Sequence, residues 1–180
     1  MSHKAYLLMG GNQGDRFALL QKATDLIQER VGSVVGLSRL YETEPWGNFE
    51  ETESEPQSTK AFINQALAVT SLLAPHDLLH ATMEIEAELG RIRPCSEPHT
   101  PHQNTRLYHS RPIDIDIIFY DAVVMDTPDL TIPHPRMHLR RFVLTPLCDI
   151  APDFVHPVLN KTITQLLSEC EDTCSCYCCS

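Results

Sequence analysis

Long apolar runs are missing from this chain: nothing in its 180 residues approaches the roughly 20 consecutive apolar positions that a membrane-spanning helix needs. The opening Met1-Ser2-His3-Lys4 lacks the charged-then-apolar profile of a signal peptide, so a cytosolic location is expected. Basic residues are scarce, 14 Lys and Arg against 24 Asp and Glu for a net charge of −10. No basic stripe is interleaved with stacking aromatics, which argues against a nucleic-acid partner. Cysteine is nearly absent from the body of the chain. Cys95 and Cys148 stand alone, while Cys170, Cys174, Cys176, Cys178 and Cys179 crowd the end, a distribution that cannot staple a core. Structural zinc sites bring a second cysteine pair from elsewhere in a fold, and these thiols share one short acidic stretch. Residues 171–180 are therefore expected to form a solvated, flexible tail behind a single domain over 1–170.

Catalytic signatures are also missing. Gly10-Gly11-Asn12-Gln13-Gly14 lacks both the Gly-Lys-Ser/Thr ending of a P-loop and the spacing of a dinucleotide fold, and reads as a structural turn. No Ser-His-Asp or Cys-His arrangement is evident.

What is present centres on Arg111-Pro112-Ile113-Asp114-Ile115-Asp116-Ile117-Ile118-Phe119. Side chains of a strand alternate faces, so Asp114 and Asp116 project together, roughly 7 Å apart, while Ile113, Ile115 and Ile117 turn into the core. Two like charges so placed are costly without a cation. Oxygen ligands of this kind suit Mg²⁺, which completes its octahedron with water and phosphate oxygens. Half of the basic residues surround this strand: Arg91, Arg93, Arg106, Arg111, Arg136, Arg140 and Arg141, with six acids in the same stretch, make residues 91–141 formally +1 and the remainder −11. Guanidinium groups grip phosphate oxygens bidentately and stay charged at physiological pH. Carboxylates for metal beside arginines for phosphate describe a nucleotide polyphosphate site, with Arg106 and Arg141 the two most compatible with a merely solvated role.

Local patterning supplies the frame. Lys4 to Met9 reads as a strand, and Asp15 as the N-cap of a helix burying Phe17, Leu20, Thr24, Ile27 and Val31. Ser33 to Glu42 and Ala61 to Ser71 read as strands, Pro75 opens a helix with Leu78, Thr82, Ile85 and Leu89 inward, and Gly90 ends it. Residues 43–60 and 92–110 read as long loops. Beyond the acidic strand, 123–125 and 130–132 form a small hairpin, and 138–148 and 162–170 short helices. The order β-α-β-β-α-β with right-handed crossovers gives an α+β, ferredoxin-like core: a four-stranded antiparallel sheet with helices packed on it and C-terminal additions.

Five stretches then stand in register after the glycine turn. They are Tyr41-Glu42-Thr43-Glu44-Pro45-Trp46-Gly47, Phe62-Ile63-Asn64-Gln65-Ala66, Leu89-Gly90-Arg91-Ile92-Arg93, Arg111 to Asp116, and Pro133-His134-Pro135-Arg136-Met137-His138-Leu139-Arg140-Arg141-Phe142-Val143-Leu144. Together they resemble the 6-hydroxymethyl-7,8-dihydropterin pyrophosphokinases of folate biosynthesis, over residues 5 to about 159. The resemblance implies transfer of the β,γ-diphosphate of ATP to the hydroxymethyl oxygen of the pterin, with two Mg²⁺ held by Asp114 and Asp116. It implies phosphate contacts from Arg91, Arg93, Arg111, His134 and Arg140, and nucleotide contacts from Ile117, Leu130 and Thr131. It implies a pterin sandwiched by Phe62 and Phe142, read by Asn64 and the Thr43, Glu44 and Trp46 segment, with Tyr108 at the position of a stacking aromatic. Asn64 supports this from chemistry alone, because an amide amid Ala, Ile, Leu and Val costs stability unless it has a partner. A monomer acting on small molecules is expected. Another Mg²⁺-dependent D-x-D transferase with a nucleotide substrate is the alternative, but it has no need of the Phe62, Asn64 and Phe142 set.

Overall fold

In the computed structural model, which describes residues 1–44, 61–92 and 110–179, two strands run through the centre with apolar side chains on both faces. These are β1 (His3–Gly11) and β4 (Phe62–Ser71), paired antiparallel from His3 with Ser71 to Gly11 with Ile63. Ala5, Leu7 and Met9 of β1 join Ile63, Leu67 and Val69 of β4 on one face, while Tyr6, Leu8, Ala66 and Ala68 occupy the other. Two faces of apolar side chains require a layer on each side. The first face is covered by α1 (Arg16–Arg30) and α2 (Pro75–Glu88), the second by α3 (Arg141–Ile150) and α4 (Ile163–Glu169).

β2 (Gly32–Leu37) and β3 (Tyr41–Thr43) lie along one side of β4, and β5 (Asp114–Tyr120) lies on the far side of β1. The sheet order β5-β1-β4, with β2 and β3 beyond, is the antiparallel ferredoxin-like arrangement expected. A two-stranded ribbon of β6 (Met125–Asp126) and β7 (Thr131–Ile132) follows β5. A short 3-10 turn at Met137–Leu139 leads into α3.

Local signals account for most ends. Asp15 accepts a hydrogen bond from the Ala18 N–H at 3.1 Å, capping α1. Gly90, at φ +95°, takes the left-handed conformation that turns the chain out of α2. α1 buries Leu20, Ala23 and Ile27, but Phe17 is 47% exposed.

Three expectations are corrected. The strand expected over 33–42 is two strands, because the ladder is interrupted at Ser38: its N–H still bonds the Ala66 carbonyl at 3.0 Å, but its hydroxyl replaces its carbonyl in accepting from the Ala66 N–H at 2.9 Å, and the carbonyl accepts from the Gln65 side chain at 2.8 Å. Gly10 and Gly11 belong to β1 and not to a turn; a Cβ on Gly10 would lie 2.4 Å from Asn64 Oδ1, and one on Gly11 would lie 2.1 Å from the Pro112 carbonyl oxygen. Only the neighbours across the sheet make glycine necessary there. Finally, the tail is no solvated appendage over 171–179. β8 (Cys176–Cys178) pairs antiparallel with β3, Tyr41 facing Cys178 and Thr43 facing Cys176, and extends the sheet by one strand.

Candidate active site

β5 does what its alternation dictates. Ile113, Ile115 and Ile117 enter the core under α1 and α2, and Asp114 and Asp116 sit on the opposite face beside Gly10 and Leu8 of β1. The register shifts between Tyr6 and Leu7, inserting Ile118, so that Ile118 and Phe119 both reach the second core.

Asp114 is gripped from two sides. One carboxylate oxygen accepts from the Arg91 guanidinium, the other from Arg111 Nη1 at 2.6 Å. Burial alone would raise this carboxyl, but Arg111 and Arg91 outweigh it and hold Asp114 below the ordinary carboxylate range. Asp116 is driven the other way, up, by burial and then by the negative Asp114, with Arg140, Arg111 and Arg91 opposing. The Asp116 side chain has no hydrogen bond or ion pair with a described residue. A half-buried carboxylate in that condition fits a divalent cation, whose charge would offset both the desolvation and the repulsion. Among the described residues no three His, Cys, Asp or Glu gather as a metal cage.

Two residues that the sequence reading missed hold the arginines in place. Glu86, 1% exposed on the inner face of α2, accepts from Arg91 Nη1 at 2.5 Å and from the Ile115 N–H at 2.7 Å, tying helix, arginine and acidic strand together. Its signal was present: a glutamate four residues after the inward Thr82, on the apolar stripe of the helix. Asn12 clamps the backbone of Arg111, accepting from its N–H at 2.9 Å and donating its own N–H to the Arg111 carbonyl at 3.0 Å.

His134 is half-buried, with its backbone N–H bonded to the Ile118 carbonyl at 3.0 Å. Burial and the nearby charges of Arg140 and Arg136 push its pKa well below 6.5. The Arg136 N–H points at Nδ1 from 3.3 Å, so the neutral ring carries its proton on Nε2.

Beside the carboxylates lies a cleft. Asp114, Asp116, Arg111 and Arg140 line one part; Thr43, Glu44, Phe62, Asn64 and Phe142 line the other. Asn64, 3% exposed, donates Nδ2 to Thr43 Oγ1 at 2.8 Å, and its oxygen occupies the space left by the missing Cβ of Gly10. The Arg140 guanidinium stands 5.6 Å from the centre of the Phe142 ring. Thus Asp114, Asp116, Arg91, Arg111 and Arg140 are gathered at one corner, and Thr43, Glu44, Phe62, Asn64 and Phe142 around one cavity. Ile117 and Leu130 are not at the cleft; they are buried in the core under α1 and α2, and Thr131 bonds Asp126 at 2.8 Å. Trp46, Arg93 and Tyr108 fall outside the described residues.

Residues 6–152 match the family model described as 7,8-dihydro-6-hydroxymethylpterin-pyrophosphokinase. The chain is 46% identical over 153 residues to the 2-amino-4-hydroxy-6-hydroxymethyldihydropteridine pyrophosphokinase of Porphyromonas gingivalis, covering 84% of this chain and 92% of that one. It is 34% identical over 151 residues to the enzyme of the same name from Bacillus subtilis, covering 83% and 79%. Among solved structures, HPPK-DHPS in complex with substrates superposes with a TM-score of 0.68 at 17% identity, over 94% of this chain and 43% of that longer one. Wild-type HPPK-DHPS of Plasmodium falciparum with pteroate gives 0.69 at 17% identity, over 94% and 44%. These superpositions establish the fold, and the closer curated relatives the kinship: the chain belongs to the 7,8-dihydro-6-hydroxymethylpterin-pyrophosphokinase family, the ATP-using diphosphotransferases of folate biosynthesis.

Proposed function

We propose that the cleft is where this diphosphate transfer takes place, with the pterin between Phe62 and Phe142 and the triphosphate of ATP at the Asp114, Asp116 and arginine corner. The observation that carries the assignment is that one cleft is lined at one end by phosphate-type groups and at the other by ring-binding groups. An acceptor hydroxyl and a β-phosphorus held there share one space, as in-line transfer demands.

Asn64 suits a flat ring with an amide edge, since its side chain both accepts and donates and is fixed by Thr43. Arg91 and Arg111 are oriented by Glu86, Asp114 and Asn12 before substrate arrives, so their charge acts without reorganisation. His134, neutral with a proton on Nε2, donates to a phosphate oxygen without adding charge. Asp114 and Asp116 would hold Mg²⁺, two ions in this reading, which supply positive charge to the phosphate oxygens. Arg93, Trp46 and Tyr108 complete the set by resemblance, and Thr131 borders the adenine; Ile117 and Leu130, buried in the core, take no part. The hydroxymethyl oxygen attacks the β-phosphorus, the bond to the α-phosphate oxygen breaks, the hydroxyl proton is lost, and AMP leaves. Both substrates are small and soluble, so the reading needs no membrane, nucleic acid or second subunit and is made for a cytosolic monomer.

The test is to mix the protein with MgATP and 6-hydroxymethyl-7,8-dihydropterin and identify the nucleotide released. AMP in equal amount to pterin diphosphate is expected; ADP, or no pterin-dependent turnover, contradicts the proposal.

A further inference from the structure

The match to the family model ends at residue 152, yet the last segment of this chain, residues 172–179, bonds to the elements on both sides of the cleft. On one side β8 pairs with β3, and the Cys179 N–H bonds the Leu40 carbonyl at 2.8 Å. Next to the strand, the Cys174 thiol lies 3.6 Å from the Glu44 carbonyl oxygen, as a donor. Thr43 and Glu44 line the cleft. On the other side Asp172 receives the Arg141 N–H at 2.9 Å on its carboxylate and the Arg141 Nε at 2.9 Å on its carbonyl oxygen. Arg141 begins α3, the helix whose second residue is Phe142. That helix has no side-chain cap from its own N-cap residue, Arg140, so Asp172 supplies from a distant segment the acceptor that a local Ser or Asp would give.

We propose that residues 171–179 are a strap that positions the acceptor half of the site, holding Thr43 of β3, the Glu44 that follows it and Phe142 of α3 at a fixed separation and so setting affinity for the flat heteroaromatic substrate. This rests on the reading that the cleft takes the pterin. Asp172, Cys174 and the β8 backbone are positioning groups: they reach the substrate only through β3 and α3. The triphosphate corner is braced independently by Glu86 and Asn12, so the strap biases one substrate and not the other. Burial raises the Cys174 thiol, which keeps it a donor to Glu44.

The ladder supplies a clean test. Bonded pairs alternate along antiparallel strands, and the Cys179–Leu40 bond makes Tyr177 the other residue whose N–H faces β3. The Tyr177 side chain is 65% exposed. Tyr177→Pro therefore removes a ladder bond, while Tyr177→Ala changes only the exposed side chain. In the full chain, Tyr177→Pro and Asp172→Ala should each raise the KM for the pterin roughly five- to tenfold, the scale of one lost cap or ladder bond. The KM for ATP should move less than about twofold, and Tyr177→Ala and Asp172→Asn should stay closer to wild type than their partners. Equal changes for both substrates, or an unchanged pterin KM in an active Tyr177→Pro protein, overturn the strap. Wild-type protein that releases no AMP overturns instead the functional reading on which the strap rests.

Discussion

Glu86 offers the sharpest dissection of how the phosphate corner is held. Its carboxylate accepts from the buried Ile115 N–H and from Arg91, and Arg91 has Asp114 as a second partner. Glu86→Ala leaves the Ile115 N–H without this acceptor, a loss of about 1–3 kcal/mol. A buried charge stripped of its partner costs about 3–5 kcal/mol, and because Arg91 retains Asp114 the added loss is nearer 1–2 kcal/mol. The alanine variant should thus be destabilised by roughly 3–4 kcal/mol. Glu86→Gln keeps an oxygen for Ile115 and loses only the charge, so it should cost roughly 1–2 kcal/mol. Urea denaturation separates the two, and at about 2–4 °C per kcal/mol for a chain of this size thermal melts should agree. In both variants the KM for ATP should rise while pterin affinity holds, since Asn64 and the two phenylalanines are untouched. Glutamine and alanine variants equal within about 0.5 kcal/mol would refute the Ile115 contribution, and unchanged stability in both would refute the brace.

Asp114→Asn and Asp116→Asn should each lower turnover by orders of magnitude but part in stability. Asp114→Asn weakens two arginine pairs and destabilises, whereas Asp116→Asn removes a buried like charge and holds or raises the melting temperature; turnover within about tenfold of wild type, a barrier change of only ~1.4 kcal/mol, would sink the metal assignment. Gly10→Ala places a Cβ where the Asn64 oxygen lies, so it should weaken pterin binding with little effect on ATP, checked by the two KM values. His134 has a folded-state pKa depressed below 6.5, so the unfolded chain takes up the proton first. Its neutral form favours folding above that pH, and the contribution is lost as pH falls below about 6.5. His134→Gln should flatten the fall in stability on the acid side, and an identical pH profile would show that this imidazole is not held neutral.

Much of this site was legible because period and chemistry coincide. The Ile and Asp alternation of residues 113–117 places the carboxylates on one face with no tertiary information, and Asn64 announces itself as an amide where only a partner makes it tolerable. Asp15 and Gly90 mark helix ends through local bonding. What was hidden depends on groups far apart in the chain. Ser38 breaks a strand by trading side-chain bonds with Gln65 and Ala66, which leaves no periodic trace. Gly10 and Gly11 look like turn residues until Asn64 and Pro112 approach from either side. Glu86 reads as one more surface acid unless its place on the apolar stripe of α2 is weighed. Cys176-Tyr177-Cys178 has no alternation of buried and exposed character; it is a strand because β3 offers an unpaired edge.

The central claim is that one cleft holds two chemically distinct half-sites, and the measurement that meets it head-on is calorimetric titration of Asn64→Ala and Arg111→Ala with two ligands, the pterin and a non-hydrolysable ATP analogue with Mg²⁺. Asn64→Ala should weaken the pterin about tenfold or more, the worth of a buried amide contact, and leave the nucleotide within about twofold. Arg111→Ala should do the reverse. Parallel losses for both ligands in both variants would contradict the division of the cleft and with it the assignment of substrates.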